Sequence, residues 1–135
     1  MSLASFVVTA VFPAKSSVLY RAFLDDKIHS DFTGSEAHIE DRGGGKFSAW
    51  DGYITGEIVC LEENRRITQK WRTTDFADTD EDSILDIEFA ESGNETVLTL
   101  RHSNLPEGTK EEYRQGWEDY YIAPLKEFLD GLPTK

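Results

Sequence analysis

His102 is the side chain in this sequence with the clearest capacity for chemistry. It lies in a β-rich segment, and alternation places it on the same face as Leu98 and Leu100, which are expected to point into the core. An imidazole in such a position can transfer protons near neutral pH or anchor a ligand. The alternative is a histidine that is only hydrogen-bonded at the end of its strand, and the sequence favours this alternative.

A set of large aromatic side chains provides candidates for the lining of a ligand cavity. Tryptophan and tyrosine combine an apolar body with a polar tip, which suits the mouth of a site for an amphipathic ligand. The alternative is a dense core without a void, since protein interiors are normally close-packed. The candidates are Trp50, Trp71, Phe76, Trp117, Tyr120 and Tyr121, together with His102.

Metal and cofactor chemistry have no matching pattern. The acidic run over residues 75–82 lacks the central glycine and the twelfth-position glutamate of a calcium loop, so it is predicted to be a solvated loop. His29 and His38 have no partners at the spacing of a zinc site. The run Gly43-Gly44-Gly45-Lys46 lacks the spacing of a phosphate-binding loop. No catalytic constellation, metal or cofactor is predicted.

Charge excludes two classes of partner. The 135 residues include 26 acids and 14 Lys and Arg residues, giving a net charge of −12. Such a chain is repelled by nucleic-acid phosphates and by anionic membrane surfaces, so we expect no nucleic-acid partner. No apolar stretch approaches the ~18 residues of a membrane span, and no signal pattern is present. We therefore expect a cytoplasmic protein that forms one domain over residues 1–135.

The only cysteine, Cys60, lies in an apolar run and cannot form an internal disulfide. It is predicted to be a small core residue.

Short turns separate a series of strands, which predicts an antiparallel meander. The first strand would be followed by a short helix capped by Ser16 or Ser17. If the turns are tight, Glu57 faces Lys70 and Asp86 faces Arg101 on the outer face of the sheet. The predicted strands are Phe6–Phe12, Glu36–Arg42, Lys46–Tyr53, Ile54–Leu61, Arg65–Thr74, Ile84–Ala90 and Thr96–Asn104.

The C-terminal segment from residue 110 to 132 carries an apolar stripe at helical spacing. Pro124 inside it should kink the helix near Tyr120, and Gly131 with Pro133 should end it. A helix this long and a half-apolar sheet must bury their apolar faces against each other, so an α+β fold is predicted. The stripe consists of Tyr113, Trp117, Tyr120, Tyr121, Pro124, Leu125, Phe128, Leu129 and Leu132.

Several short motifs, in their order, resemble a known family. The run Asp41-Arg42-Gly43-Gly44-Gly45-Lys46-Phe47, the pairs Asp51-Gly52 and Gly56-Glu57, and Lys70-Trp71-Arg72 match its middle, and Arg114-Gln115-Gly116-Trp117 with Tyr120-Tyr121 matches its last helix. Over roughly residues 7–129 the chain is similar to the C-terminal domain of the activator of the heat-shock protein 90 ATPase, in the START-like (SRPBCC) superfamily. The resemblance implies a helix-grip fold, in which a curved antiparallel sheet wraps around a long C-terminal helix.

The resemblance also implies functions, which remain alternatives. One is a non-catalytic, chaperone- or stress-related domain whose partner is a heat-shock protein 90 type chaperone or another protein. A second is a binder of a small hydrophobic ligand, such as a lipid, sterol or polyketide, between sheet and helix. A minor third is a cyclase- or hydrolase-like enzyme using His102 and Tyr120. The resemblance implies a separate N-terminal domain in the eukaryotic cochaperone of this family, and we expect these 135 residues to have no room for one. The three glycines at residues 43–45 are a second difference, since two are expected there.

A basic excess on one predicted strand also has two interpretations. Neighbouring acids such as Glu57 can neutralise it, which the sequence favours, or it can form a docking stripe for an acidic partner surface. The basic residues are Arg65, Arg66, Lys70 and Arg72.

Overall fold

A computed structural model describes residues 3–130 of the chain. Seven strands form one antiparallel sheet in the order β1-β7-β6-β5-β4-β3-β2. Every neighbouring pair from β2 to β7 is joined along the chain, and β1 closes against β7. The predicted meander is confirmed. The strands are β1 (Ala4–Phe12), β2 (His38–Ile39), β3 (Lys46–Ala49), β4 (Ile54–Glu62), β5 (Arg66–Thr73), β6 (Ser83–Ser92) and β7 (Glu95–Leu105).

The helices lie in two groups along the chain. Between β1 and β2 the chain forms α1 (Ser16–Leu24) and α2 (Asp26–Thr33). After β7 it forms α3 (Lys110–Trp117), a π-helical segment (Glu118–Ile122) and α4 (Ala123–Asp130). The predicted helix end at Gly131 and Pro133 lies outside the described residues. Between residues 3 and 130, no helix has both the length and the apolar character that a membrane span requires.

One core joins the sheet to the helices. Strand residues of alternating position, such as Leu98 and Leu100 on β7, are fully buried, and so is Leu125 on α4. The buried residues of sheet, α1, α2 and the C-terminal helix form a single cluster, because each element has one apolar face and can bury it only against another element. The predicted α+β fold is confirmed.

The predicted strand register is confirmed at both test positions. Glu57 faces Lys70 across β4 and β5, and Asp86 faces Arg101 across β6 and β7. The ion pairs form with other partners, however. Asp86 accepts two hydrogen bonds from Arg66 at 2.8 and 3.0 Å, whereas Arg101 pairs with Glu88.

Two strands are shorter than predicted by several residues. Only His38 and Ile39 pair with β3, and β3 ends at Ala49 rather than Tyr53. The reason for the early end is the backbone of Trp50, Asp51 and Gly52, which have φ angles of 55°, 57° and 92°. These left-handed conformations reverse the chain and cannot continue a strand.

The prediction that Cys60 lies in the core is wrong, since its side chain is exposed. The register of β4 against β5 shifts between Ile58 and Cys60, as in a β-bulge. The extra residue, Val59, reverses the alternation, so that Ile58 points inward and Cys60 points outward.

The prediction that Ser16 or Ser17 caps α1 with its side chain is also wrong. Lys15 occupies the N-cap position, and no side chain of the cap residue accepts a bond there. Instead the backbone N–H and the hydroxyl of Ser16 donate to Glu91 Oε1 at 2.8 and 2.9 Å. The Glu91 carboxylate of β6 therefore accepts hydrogen bonds at the first turn of α1, where the helix dipole favours negative charge.

Candidate functional site

A cleft of about 370 Å³ lies between the C-terminal helix and the sheet. Its volume is at the lower end of the range of roughly 300–1,000 Å³ found for small-molecule sites. The lining comes from the segment after α2, from the loop after β3, from β4, β5, α3 and the π-helical segment. The lining residues are Ser35, Trp50, Asp51, Tyr53, Ile54, Trp71, Glu112, Tyr113, Gly116, Trp117, Tyr120 and Tyr121.

Packed aromatic rings form the inner wall of the cleft. The ring of Trp71, on β5, lies 5.4 Å from that of Tyr113 and 6.0 Å from that of Trp117, and Trp117 lies 4.5 Å from Tyr121. Because all four residues are buried and brace one another, this wall is preformed.

The mouth of the cleft is formed by Trp50 and Tyr120, whose rings lie 5.7 Å apart. Trp50 has a φ of 55°, an unfavourable conformation for a bulky residue. The adjacent Asp51 holds this loop in place, because its N–H donates to the carbonyl of Glu36 at 3.1 Å and its Oδ1 accepts from the N–H of Glu36 at 2.9 Å. The loop thus fixes one aromatic lip of the cleft.

The π-helical segment positions the other lip. The sequence predicted a kink near Tyr120 from Pro124, which has no N–H to donate to the carbonyl of Tyr120. The structure has the wider π turn at this place, with the N–H of Ala123 donating to the carbonyl of Glu118, five residues earlier. The wider turn allows the adjacent Tyr120 and Tyr121 both to line the cleft.

His102 lies behind the cleft wall, not in its lining. Its Nδ1 accepts from Trp117 Nε1–H at 3.1 Å, so the proton lies on Nε2, which donates to Ser83 Oγ at 2.8 Å. Ser83 in turn donates to the carbonyl of Trp71 at 2.6 Å. Burial lowers the pKa of His102 to about 3, which keeps the imidazole neutral. This chain of bonds fixes the two tryptophans of the wall.

A second buried histidine supports the other end of the wall. His29 Nε2 and Tyr121 Oη are hydrogen-bonded at 2.9 Å. His29 Nδ1 has no partner in good hydrogen-bond geometry among the residues described. Burial lowers the pKa of His29 to about 4, with the backbone of Phe23 acting weakly in the opposite direction, and burial raises that of Tyr121. A cavity of only about 20 Å³ lies beside His29, separated from the cleft by Trp71, Trp117 and Tyr121.

The structure brings together five of the seven side chains that the sequence analysis gave as cavity candidates. Trp50, Trp71, Trp117, Tyr120 and Tyr121 line the cleft. Phe76 and His102 do not, since both lie behind the wall: Phe76 packs 6.3 Å from Trp71 and 6.1 Å from Tyr113, and the ring of His102 is 4.5 Å from that of Trp71.

Sequence reasoning missed several lining residues. Tyr113 belonged to the apolar stripe of the helix, four residues before Trp117, and this spacing was a usable signal. Tyr53, Asp51 and Glu112 gave no comparable signal, because the turn conformation and the packing angle of the helix place them at the cleft.

Two tyrosine hydroxyls of the cleft form hydrogen bonds within the protein. Tyr53 donates to Asp75 Oδ2 at 2.6 Å, and the hydroxyls of Tyr113 and Thr73 are 2.8 Å apart. Burial raises the pKa of both tyrosines, and the neighbouring Asp75 adds to the effect at Tyr53. Among the described lining residues, Asp51 and Glu112 are the only charged ones.

These features define a class of protein. An antiparallel sheet packed around a long C-terminal helix, with a cleft between them, is the helix-grip arrangement of START-like proteins. Residues 13–130 match the family described as "Activator of Hsp90 ATPase homolog 1-like protein". The chain belongs to this family.

Individual relatives agree with the family match. The chain is 33% identical over 109 residues to "Activator of 90 kDa heat shock protein ATPase homolog 1" of Mus musculus and 26% identical over 130 residues to "Hsp90 co-chaperone AHA1" of Saccharomyces cerevisiae. These matches cover 81% and 90% of this chain but only 32% and 36% of the relatives. The chain thus spans about a third of the length of these curated relatives.

One solved structure matches over nearly its full length. The crystal structure of an HSP90 activator from Plasmodium falciparum superposes with a TM-score of 0.88 at 31% identity. The match covers 97% of this chain and 99% of that one.

Proposed function

We propose that this chain is a binding domain whose partner is an Hsp90-type chaperone. The observation that carries the proposal is the match to the Plasmodium falciparum HSP90 activator, because that protein is named for this activity and its chain in the crystal structure is covered over 99% of its length. The longer relatives match over only about a third of their length, so they support the proposal less directly. The family supports a chaperone-related role, and we further propose a stress-related, cytosolic setting.

The basic stripe offers a surface on which to test the proposal. Arg66 and Arg72 are engaged, since Arg66 pairs with Asp86 and Arg72 pairs with Asp82 at 2.8 Å. Arg65 and Lys70 are exposed, and neither forms an ion pair within residues 3–130. Of the four basic residues, these two are therefore available to an acidic partner surface.

The test measures ATP turnover by a purified Hsp90-type chaperone with increasing amounts of this protein, alongside direct binding by calorimetry. We expect faster turnover and saturable binding. The variant Arg65→Glu/Lys70→Glu should bind several-fold more weakly, because rim charges contribute to steering and affinity. The matched control, Lys27→Glu/Lys110→Glu, changes the net charge equally on exposed helix positions and should bind like the wild type. Unchanged turnover without detectable binding would refute the proposal.

A second candidate function is the binding of a small hydrophobic ligand. The observation that favours it is the cleft itself, with seven aromatic side chains among its lining residues. A cyclase- or hydrolase-like activity has less support, because both ring nitrogens of His102 are engaged in hydrogen bonds and the residue is 1% exposed.

Intrinsic fluorescence separates the two functions. Trp50, Trp71 and Trp117 all line the cleft, so an occupant should quench or shift their emission during a titration with apolar and aromatic compounds. A flat response together with stimulated chaperone turnover would leave only the first function.

A further inference from the structure

We infer that the cleft selects ligands with a flat apolar body and a cationic or neutral polar end, and that it disfavours carboxylates such as fatty acids. This inference rests on the second proposed function, the binding of a small molecule in the cleft. It specifies the chemical class of that molecule from the groups that the cleft presents.

The walls are suited to a flat body. Trp71, Tyr113 and Trp117 present ring faces and edges at centroid separations of 5.4 to 6.0 Å, and Trp50 with Tyr120 closes the mouth at 5.7 Å. Rings arranged in this way attract both apolar surface and positive charge, because the face of an aromatic ring carries negative partial charge.

The charged groups of the lining have one sign. Asp51 lies at the mouth on the sheet side, where Oδ1 is held by the N–H of Glu36 at 2.9 Å. Glu112 lies on the helix side, is exposed, and its carboxylate forms no hydrogen bond with the residues that the structure describes. The lining includes no Lys, Arg or His within the described part of the chain. A ligand carboxylate would therefore lose hydration beside two like charges without gaining an ion pair.

The charged hydrogen-bonding groups show the same bias. The hydroxyls of Tyr53 and Tyr113 are already paired with Asp75 and Thr73 inside the protein. The lining also holds neutral donors, namely the hydroxyls of Ser35 and Tyr120 and the indole N–H groups of Trp50 and Trp71. The charged partners left for a ligand are the carboxylate oxygens of Asp51 and Glu112, which only accept hydrogen bonds when ionised. A ligand that donates at its polar end, such as an amine or an alcohol, matches these acceptors.

The backbone at the mouth supports a binding role for this site. Trp50 and Asp51 are consecutive non-glycine residues with φ angles of 55° and 57°. Such conformations cost free energy and are concentrated at ligand clamps and active sites. Here they place one aromatic and one anionic group together at the entrance.

The experiment compares three probes with the same ring system and different charges: 1-naphthylmethylamine, 1-naphthylmethanol and 1-naphthoate. Binding to the full chain is measured by calorimetry at pH 7 and low salt. We expect the ammonium probe to bind tightest and the carboxylate probe weakest, with about tenfold between the extremes. Carboxylate binding equal to or tighter than ammonium binding would overturn the inference while leaving the cleft a ligand site.

Two double variants separate local charge from net charge. Asp51→Asn/Glu112→Gln should bring the ammonium probe down to the affinity of the alcohol, and asparagine tolerates the left-handed backbone at residue 51. Glu107→Gln/Glu127→Gln removes the same charge from exposed positions outside the cleft and should leave the order of the probes unchanged. Equal effects of both variants would show that the preference arises from net charge and would overturn the inference.

A cleft-filling variant locates the probe. Gly116 is helical, lines the cleft, and a Cβ there would meet only Tyr120 Cδ2, at 3.9 Å. Gly116→Leu therefore fits the helix and should abolish probe binding. Probe binding that survives this variant, or no binding of any probe to the wild type, would overturn both the inference and the ligand function. The chaperone proposal is decided separately by the ATP-turnover assay.

Discussion

Two histidines are buried in this protein, and their surroundings keep both neutral. His102 is bonded on both ring nitrogens, to Trp117 and Ser83, and His29 is bonded to Tyr121. Neither has a carboxylate among its hydrogen-bond partners, so no ion pair offsets the cost of charging a buried imidazole. Each supports an aromatic residue of the cleft wall, which gives these histidines a positioning role.

We predict that the protein loses stability as the pH falls from about 6.5 to 4. Burial lowers the pKa of His29 to about 4 and that of His102 to about 3, whereas both are near 6.5 when unfolded. The unfolded state therefore binds protons that the folded state rejects, and the loss approaches about 1.4 kcal/mol per pH unit for each histidine. Urea unfolding at pH 7.5, 6.0 and 5.0 measures this loss of unfolding free energy.

The control for this prediction is His38→Gln, which removes an exposed imidazole and keeps both buried ones. Stability that stays flat between pH 7 and 5, or NMR titration of both buried imidazoles near pH 6.5, would contradict it. Asp86, on the outer face of the sheet, is protonated only at lower pH. At Asp86 burial raises the pKa, but the bonds from Arg66 and Thr68 outweigh this and lower it.

At the scale of elements, β4 shows how one strand combines close approach with a change of face. Gly56 faces Trp71 on β5 and Phe47 on β3, and a Cβ there would overlap the carbonyl oxygen of Lys70. A glycine inside a strand marks such a close approach. Three residues later the bulge at Val59 reverses the alternation and exposes Cys60.

We predict that Gly56→Ala destabilises the protein by at least about 2 kcal/mol, because the added methyl would clash with Lys70 and lie 2.7 Å from the ring of Phe47. Urea unfolding measures the change. Gly43→Ala is the control, since a Cβ at Gly43 has no neighbour within 4 Å among the described residues. Equal stability of the two variants would show that β4 and β5 can move apart at no cost.

At the scale of the whole molecule, sheet and helices share one core, and the cleft is a gap at its edge. The C-terminal helix contributes Trp117, Tyr121 and Leu125 to the same buried cluster as Phe12 and Leu98 of the sheet. Removing the helix would therefore expose the sheet's inner face as well as the cleft wall. Folding and cleft formation are coupled for this reason.

We predict a single cooperative unfolding transition. A chain of 135 residues with one continuous core is in the size range where two-state behaviour is usual. Tryptophan fluorescence reports the cleft wall and far-UV circular dichroism reports the whole sheet, so their urea transitions should coincide. Two separate midpoints would mean that the C-terminal helix leaves the sheet before the sheet unfolds.

The sequence by itself determined the fold of this protein. Alternation along the strands and the 3.6-residue stripe from Tyr113 to Leu129 are local patterns, and a sheet and a helix with one apolar face each have few ways to bury them. The register of Glu57 with Lys70 followed from short turns, which leave little freedom in pairing. Five of the seven aromatic residues of the cleft were also recognisable as candidates.

Only the tertiary structure decided the details of the site. Whether His102 faces the cleft or lies behind it depends on Trp117 and Ser83, which are distant in the chain and meet it through packing. The outward turn of Cys60 depends on a one-residue bulge against β5, which alternation along β4 does not reveal. Asp51 and Glu112 both lie at the cleft because a left-handed turn and the first turn of α3 are at the same edge of the core. No local sequence pattern encodes this arrangement.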